Sequence, residues 1–130
     1  SQILVSAVAD EDVHKYGIAK LEDAQQLAQL TDNKNANFAV AGFVEKPSLE
    51  QAPSNLAVVG RYVFTPTIFD YLAETKPSVG GEIQLTDAID ALISTQGVDV
   101  TTMLGDSFDA GDMTSYMQAF IYFAQKQLQA

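Results

Sequence analysis

Phe38-Ala39-Val40-Ala41-Gly42-Phe43-Val44-Glu45-Lys46-Pro47 is the stretch on which the reading of this chain turns. Its apolar part predicts a buried strand that ends abruptly in an adjacent acid and base. Side chains alternate faces along an extended chain, so Glu45 and Lys46 are expected to point in different directions. Pro47 cannot donate to a sheet ladder and biases Lys46 toward extended geometry, so the strand stops there. After the loop Ser48 to Asn55, the run Leu56-Ala57-Val58-Val59-Gly60-Arg61-Tyr62-Val63-Phe64 predicts a second apolar strand. Charge at the end of one strand, beside a glycine in the middle of another, predicts a pocket at a sheet margin. On spacing alone the simpler reading is a solvated strand end, with Glu45 and Lys46 marking where burial stops.

Upstream, Ile3 to Val8 is a short apolar run entered with almost no leader, which reads as a segment of something larger. Asp10-Glu11-Asp12 is an acidic turn. Gly17, between Tyr16 and Ile18, sits where a strand bulges or where a ligand approaches the backbone; a bulge is the simpler of the two. His14, the single histidine, has no obvious partner and reads as a surface residue. Glu22 to Leu30 has the pattern of two helical turns, and Thr31 to Asn37 is turn chemistry.

Downstream, Thr65-Pro66 predicts a helix start, with a capping hydroxyl and proline at the first helical position. Helix 66–74 would place Ile68, Phe69 and Leu72 on its apolar face. Pro77 to Gly81 is a break. A second helix runs from Leu85 to about Thr95 with a stripe of Leu85, Ile89, Leu92 and Ile93, closed by Gly97. Val98 to Leu104 alternates as a strand. Gly105 to Asp112 lacks the spacing and closing glutamate of a calcium loop, so it reads as a strand end that delivers Asp109 to a loop. Asp112 or Thr114 would cap a last helix that buries Tyr116, Phe120 and Phe123.

At 130 residues the chain is one domain's worth, and 17 acids against 7 bases leave a net charge of -10. That balance repels nucleic acid and anionic membrane. Any phosphate must therefore be held by a few placed cations or by Mg²⁺. The absence of cysteine excludes disulfides, thiolate metal sites and cysteine nucleophiles. There is neither a signal-peptide pattern nor a run of membrane-spanning length, and a cytoplasmic protein is expected. Strands alternating with helices predict an α/β domain, whose ligands gather beyond the strand ends, where Glu45-Lys46, Gly60 and Asp109 fall.

Six blocks carry a family resemblance, in order: Lys15-Tyr16-Gly17, Val44-Glu45-Lys46-Pro47, Ala52-Pro53-Ser54-Asn55-Leu56-Ala57, Val59-Gly60-Arg61-Tyr62-Val63, Gly81-Glu82-Ile83-Gln84-Leu85-Thr86-Asp87-Ala88-Ile89 and Tyr116-Met117-Gln118-Ala119-Phe120. In these the chain resembles the C-terminal half of the bacterial UTP–glucose-1-phosphate uridylyltransferases. The resemblance implies part of a Rossmann-like sugar-phosphate nucleotidyltransferase fold, a mixed sheet flanked by helices. Residues 1–130 would be one sugar-binding domain, with the N-terminal nucleotide-binding half absent.

The implied reaction joins UTP and glucose 1-phosphate into UDP-glucose and pyrophosphate with Mg²⁺. Carried over by residue, Glu45 would accept from glucose hydroxyls, Lys46 would meet the sugar-linked phosphate, and Gly17 would offer its backbone to the sugar. Val59 and Gly60 would line the sugar pocket, and Asp109 would be a metal carboxylate. Glu82 and Asp87 carry no implied chemical role beyond helix capping.

The chain departs from the family at Asp112-Met113-Thr114-Ser115-Tyr116, which lacks the usual lysine and glycine. It also lacks the glycine-rich triphosphate loop and the first metal aspartate. The parent is thus expected to be an enzyme, and this chain alone inactive. The other reading is a non-catalytic sugar-nucleotide-binding or self-associating module, a homo-oligomer built on exposed strand edges and an apolar face. A related transferase using another sugar or nucleotide is a third.

Overall fold

The computed structural model describes residues 1–23, 25, 37–77, 81 and 83–129. Most of the helix expected over 22–30, the loop after it, Glu82 and much of the 77–81 break lie outside the described residues.

Among the described residues, four strands come before the first α-helix. They are β1 (Gln2–Ala7), β2 (Gly17–Leu21), β3 (Asn37–Glu45) and β4 (Leu56–Val63), with a 3-10 turn at Asp10–Lys15 where an acidic turn was expected. Helices α1 (Ile68–Glu74) and α2 (Leu85–Gln96) follow, then strand β5 (Asp99–Thr102) and helix α3 (Met113–Leu128). The result is a mixed sheet with helices, as expected, but the sheet closes on itself in the order β1-β4-β2-β3-β5. β1 and β5 run parallel, Gln2 beside Asp99, and the other pairs are antiparallel. Closure gives each strand two neighbours, so the exposed strand edges expected of a half-sheet are largely covered.

Alternation explains the strands. Ile3 and Val5 of β1, Leu21 of β2, Phe38 and Val40 of β3 and Val100 of β5 all point into one core and are buried, while Ile18 faces the other way and packs with Val13 and Ala57. Burial of each such side chain stabilises the fold by roughly 1.5–3 kcal/mol. α2 closes over this core with Ala88, Ile89 and Leu92, flanked by the partly buried Leu85 and Ile93. Gly97 ends α2 at φ 72° with its N–H donating to the Ile93 carbonyl, the geometry glycine provides. The bulge anticipated at Gly17 lies instead between Lys20 and Leu21, opposite Val40 to Gly42.

Several local expectations fail for identifiable reasons. Lys46 adopts φ 46°, the left-handed region rather than extended geometry. Its N–H donates to the Tyr16 carbonyl at 3.0 Å, and Pro47 behind it is buried, so tertiary contacts override the local bias of a pre-proline residue. The Thr65 hydroxyl donates to Gln96 Oε1 at 3.1 Å instead of capping α1. On α1, Ile68 is buried and Phe69 is 72% exposed, because Tyr71 and Leu72 turn to the core in its place. Of the expected strand from Val98 to Leu104, only Asp99 to Thr102 is paired as strand.

The largest correction concerns α3, in which no residue is buried. Tyr116, Phe120 and Phe123 share a face as the periodicity implies, yet it stays largely open: Phe120 is 67% exposed, and Phe123 is more than half exposed although Phe108 lies against it. Asp112, not Thr114, caps the helix, accepting from the Ser115 N–H at 2.9 Å.

A cleft where two strands part

β2 pairs along its whole length with β3, from Leu21 opposite Val40 to Gly17 opposite Glu45. β2 and β4, in contrast, pair only at Ile18 and Ala57. β4 continues beyond that pair along β1, as far as Val63 beside Gln2. The strands therefore part at Gly17, and an open cleft of about 860 Å³ lies along the unpaired length of β4.

Gly17 is the pivot of this opening. A Cβ there would lie 3.1 Å from Glu45 Oε2 and 3.9 Å from Val58 Cγ2. The absent side chain is what leaves room for the Glu45 carboxylate. Gly60 takes φ 79°, and a Cβ on it would meet nothing within 4 Å, so its backbone borders open space. The block Ala52 to Ala57 sets where β4 begins. Ser54 Oγ donates to the Ala19 carbonyl at 2.7 Å and accepts from the Leu56 N–H, while Val8 N–H donates to the Asn55 carbonyl.

Of the residues singled out from sequence, Gly17, Glu45, Val59, Gly60 and Asp109 all line this one cleft. Lys46 does not line it; the left-handed turn leaves its side chain exposed outside. His14 is on the surface, as expected.

Asp109 arrives on a loop that α3 holds. Phe108 packs its ring 5.0 Å from Tyr122 and 5.8 Å from Phe123, and the Tyr122 hydroxyl donates to Asp106. The Gly111 N–H donates to Asp109 Oδ1 at 3.0 Å, leaving Oδ2 without that claim. Asp109 therefore offers a hard oxygen, the donor Mg²⁺ prefers. Among the described residues, however, no three acidic or histidine side chains cluster as a metal site. One carboxylate does not satisfy an octahedral ion, so these residues do not hold Mg²⁺ by themselves.

Sequence reasoning gave no site role to several residues that line the cleft, Lys15, Tyr62, Asp106 and Phe108 among them. The Lys15 ammonium pairs with Asp12 Oδ1 at 2.6 Å. That hydrogen bond, together with the charge of Asp12, raises the Lys15 pKa, and Asp109 adds to it from farther away. Burial pushes the Tyr62 phenol up, and the charge of Glu45 adds to the effect. Tyr62 thus senses the charge of Glu45 across the cleft. The available signal for Lys15 was its place two residues before the pivot glycine.

Over residues 1–126 the chain matches the family model described as nucleotidyl transferase. The chain belongs to that family. A curated relative, the UTP–glucose-1-phosphate uridylyltransferase of Haemophilus ducreyi, is 50% identical over 126 residues, covering 95% of this chain and 40% of the relative. Among solved structures, a UDP-glucose pyrophosphorylase complexed with UDP-glucose superposes with a TM-score of 0.79 at 35% identity, over 96% of this chain and 44% of that one. The UTP-bound UGPase from Acinetobacter baumannii gives a TM-score of 0.79 at 40% identity, over 94% and 39%. This nucleotidyltransferase chain therefore spans about 40% of the length of its curated relatives. No helix among its described residues is long and apolar enough to cross a membrane.

Proposed function

We propose that this chain supplies the sugar-phosphate side of a cytoplasmic UTP–glucose-1-phosphate uridylyltransferase. The observation that carries the reading is the convergence of Gly17, Glu45, Val59, Gly60 and Asp109 on one cleft. In the reaction a phosphate oxygen of glucose 1-phosphate attacks the α-phosphorus of UTP. The bond from that phosphorus to the β-phosphate bridge breaks, and pyrophosphate leaves as UDP-glucose forms. Such chemistry asks the protein mainly to position reactants and offset charge.

Within it, Glu45 accepts from two neighbouring glucose hydroxyls, a task suited to a carboxylate. Gly17, without a side chain, lets the sugar approach β2, while Val59 and Gly60 form the wall. Lys46 meets the phosphate from outside the cleft lining. Asp109 would contribute one oxygen to Mg²⁺, whose charge would offset that of the phosphates, with the remaining ligands coming from elsewhere. The chain carries no glycine-rich loop for a triphosphate, so alone it is inactive.

A second reading, a self-associating module, is favoured by the uncovered aromatics of α3. Titration with UDP-glucose and Mg²⁺, beside Glu45→Ala, tests the first reading. Binding that disappears in the variant supports it, and equal binding in both removes it. A monodisperse monomer in light scattering counts against the second.

A further inference from the structure

Helix α3 has the composition of an interior helix and the exposure of a surface one. Of its 16 residues one is charged, Lys126, on a chain whose net charge is -10. Met113, Tyr116, Met117, Phe120, Ile121 and Phe123 are each at least half exposed. At 100° per residue these six span an arc of roughly 160°. A helix resting on one core face needs a stripe of about 100°, and a helix paired with one other needs only a narrow seam. An arc this wide fits a groove between several elements. Six side chains of about 200 Å² each, half exposed or more, leave on the order of 700 Å² of largely apolar surface open. That is close to one side of a standard interface, about 800 Å². Resting on family membership and not on the sugar assignment of the cleft, we propose that α3 is the docking helix for the portion of a nucleotidyltransferase that this chain does not span, and that this docking fixes Asp109.

Three observations select this occupant. The chain spans about 40% of the length of its curated relatives, so the remainder is larger than the chain itself and can wrap a helix on several sides. The remainder also completes the site: this chain offers Mg²⁺ one carboxylate and has no glycine-rich triphosphate loop. A second copy would bring the same single carboxylate and no such loop, and pairing α3 with α3 along a seam would leave the flanks of the arc in water. Finally, α3 is tied to the cleft. Tyr122, on its opposite edge, donates to Asp106 and lies 5.0 Å from the Phe108 ring, with Lys126 over its own ring at 5.6 Å. Phe108 also meets Phe123, at the margin of the open arc. Whatever covers that arc therefore presses on the loop that carries Asp109, and stands beside the cleft where the missing ligands are needed.

The test co-expresses the full chain with an affinity-tagged segment, the part of the Haemophilus ducreyi uridylyltransferase outside the region that this chain matches. The two are expected to co-purify as a complex, with slowed amide exchange in α3 and at Gly111, whose N–H meets Asp109. Phe120→Glu, which leaves the fold of the chain alone intact by its amide spectrum, should weaken the complex about thirtyfold or more, a hot-spot loss. Phe120→Leu should restore most of it. A tagged segment that is soluble yet leaves this chain behind overturns the proposal. So does a dimer of the chain alone that Phe120→Glu dissolves, since a second copy is then the occupant. A complex in which Gly111 exchanges as fast as before removes the link to Asp109. If the segment is insoluble, a chimera joining it to this chain takes its place. Phe120→Glu then destabilises the chimera in urea but not the chain alone, and equal effects overturn the proposal. A complex that forms but makes no UDP-glucose supports the docking and counts against the sugar-phosphate reading.

Discussion

Gly17 and Glu45 face each other across β2 and β3, and the side chain that Gly17 lacks is the space next to which Glu45 Oε2 rests, 3.1 Å from where a Cβ would be. In Gly17→Ala that carboxylate has to shift. The fold survives, because alanine suits a strand at least as well as glycine. The sugar contact does not: glucose 1-phosphate affinity is expected to fall about tenfold, roughly one hydrogen bond's worth, in a calorimetric titration. Unchanged affinity would separate Glu45 from the sugar.

Leu92 and Phe120 offer opposite outcomes for similar chemistry. Leu92 is fully buried in the core, and Leu92→Ala should cost about 2–5 kcal/mol in urea unfolding, transfer and cavity together. Phe120 is two-thirds exposed, so Phe120→Ala should change stability by no more than about 0.5 kcal/mol. A large loss at Phe120 would mean that another surface covers α3.

The cap of α3 gives a pH dependence. The Ser115 backbone N–H, followed by the Ser115 hydroxyl, lowers the Asp112 pKa. A lowered carboxylate contributes stability that is complete above its ordinary pKa and is lost as pH falls through the lowered value. α3 should therefore fray in acid, visible as faster amide exchange in its first turn. Asp112→Asn keeps the acceptor and flattens that dependence, whereas Asp112→Ala frays at every pH.

Tyr62 reports on Glu45. Burial, then the Glu45 charge, raises the phenol. Glu45→Gln removes the second cause only, so a spectrophotometric titration should show the Tyr62 pKa moving down while staying above the ordinary value. No movement would place the two groups out of electrostatic reach.

What the sequence disclosed follows from what is local. The short apolar runs Ile3 to Val8, Phe38 to Val44 and Leu56 to Phe64 announce strands by length and composition, and the stripe on α2 announces its buried face by its helical period. Periodicity also places Tyr116, Phe120 and Phe123 on one face of α3, but it carries no information about whether anything packs there. The geometry of Lys46 was hidden for a related reason: Tyr16 and the burial of Pro47 decide it, and both act through space. Gly17 and Glu45 were legible as oddities at strand ends. Lys15 was not, since on a short turn beside Asp12 it looks like any solvated charge.

The parallel pairing of β1 with β5 bears on how the chain acquires its shape. Gln2 pairs with Asp99, far along the sequence, so the ring cannot close until β5 has been made. Contacts of such long range slow the search, because the loop between them must be ordered before the pairing offsets it. β1, made well before β5, must wait with that side unpaired, and in that interval it is open to wrong partners.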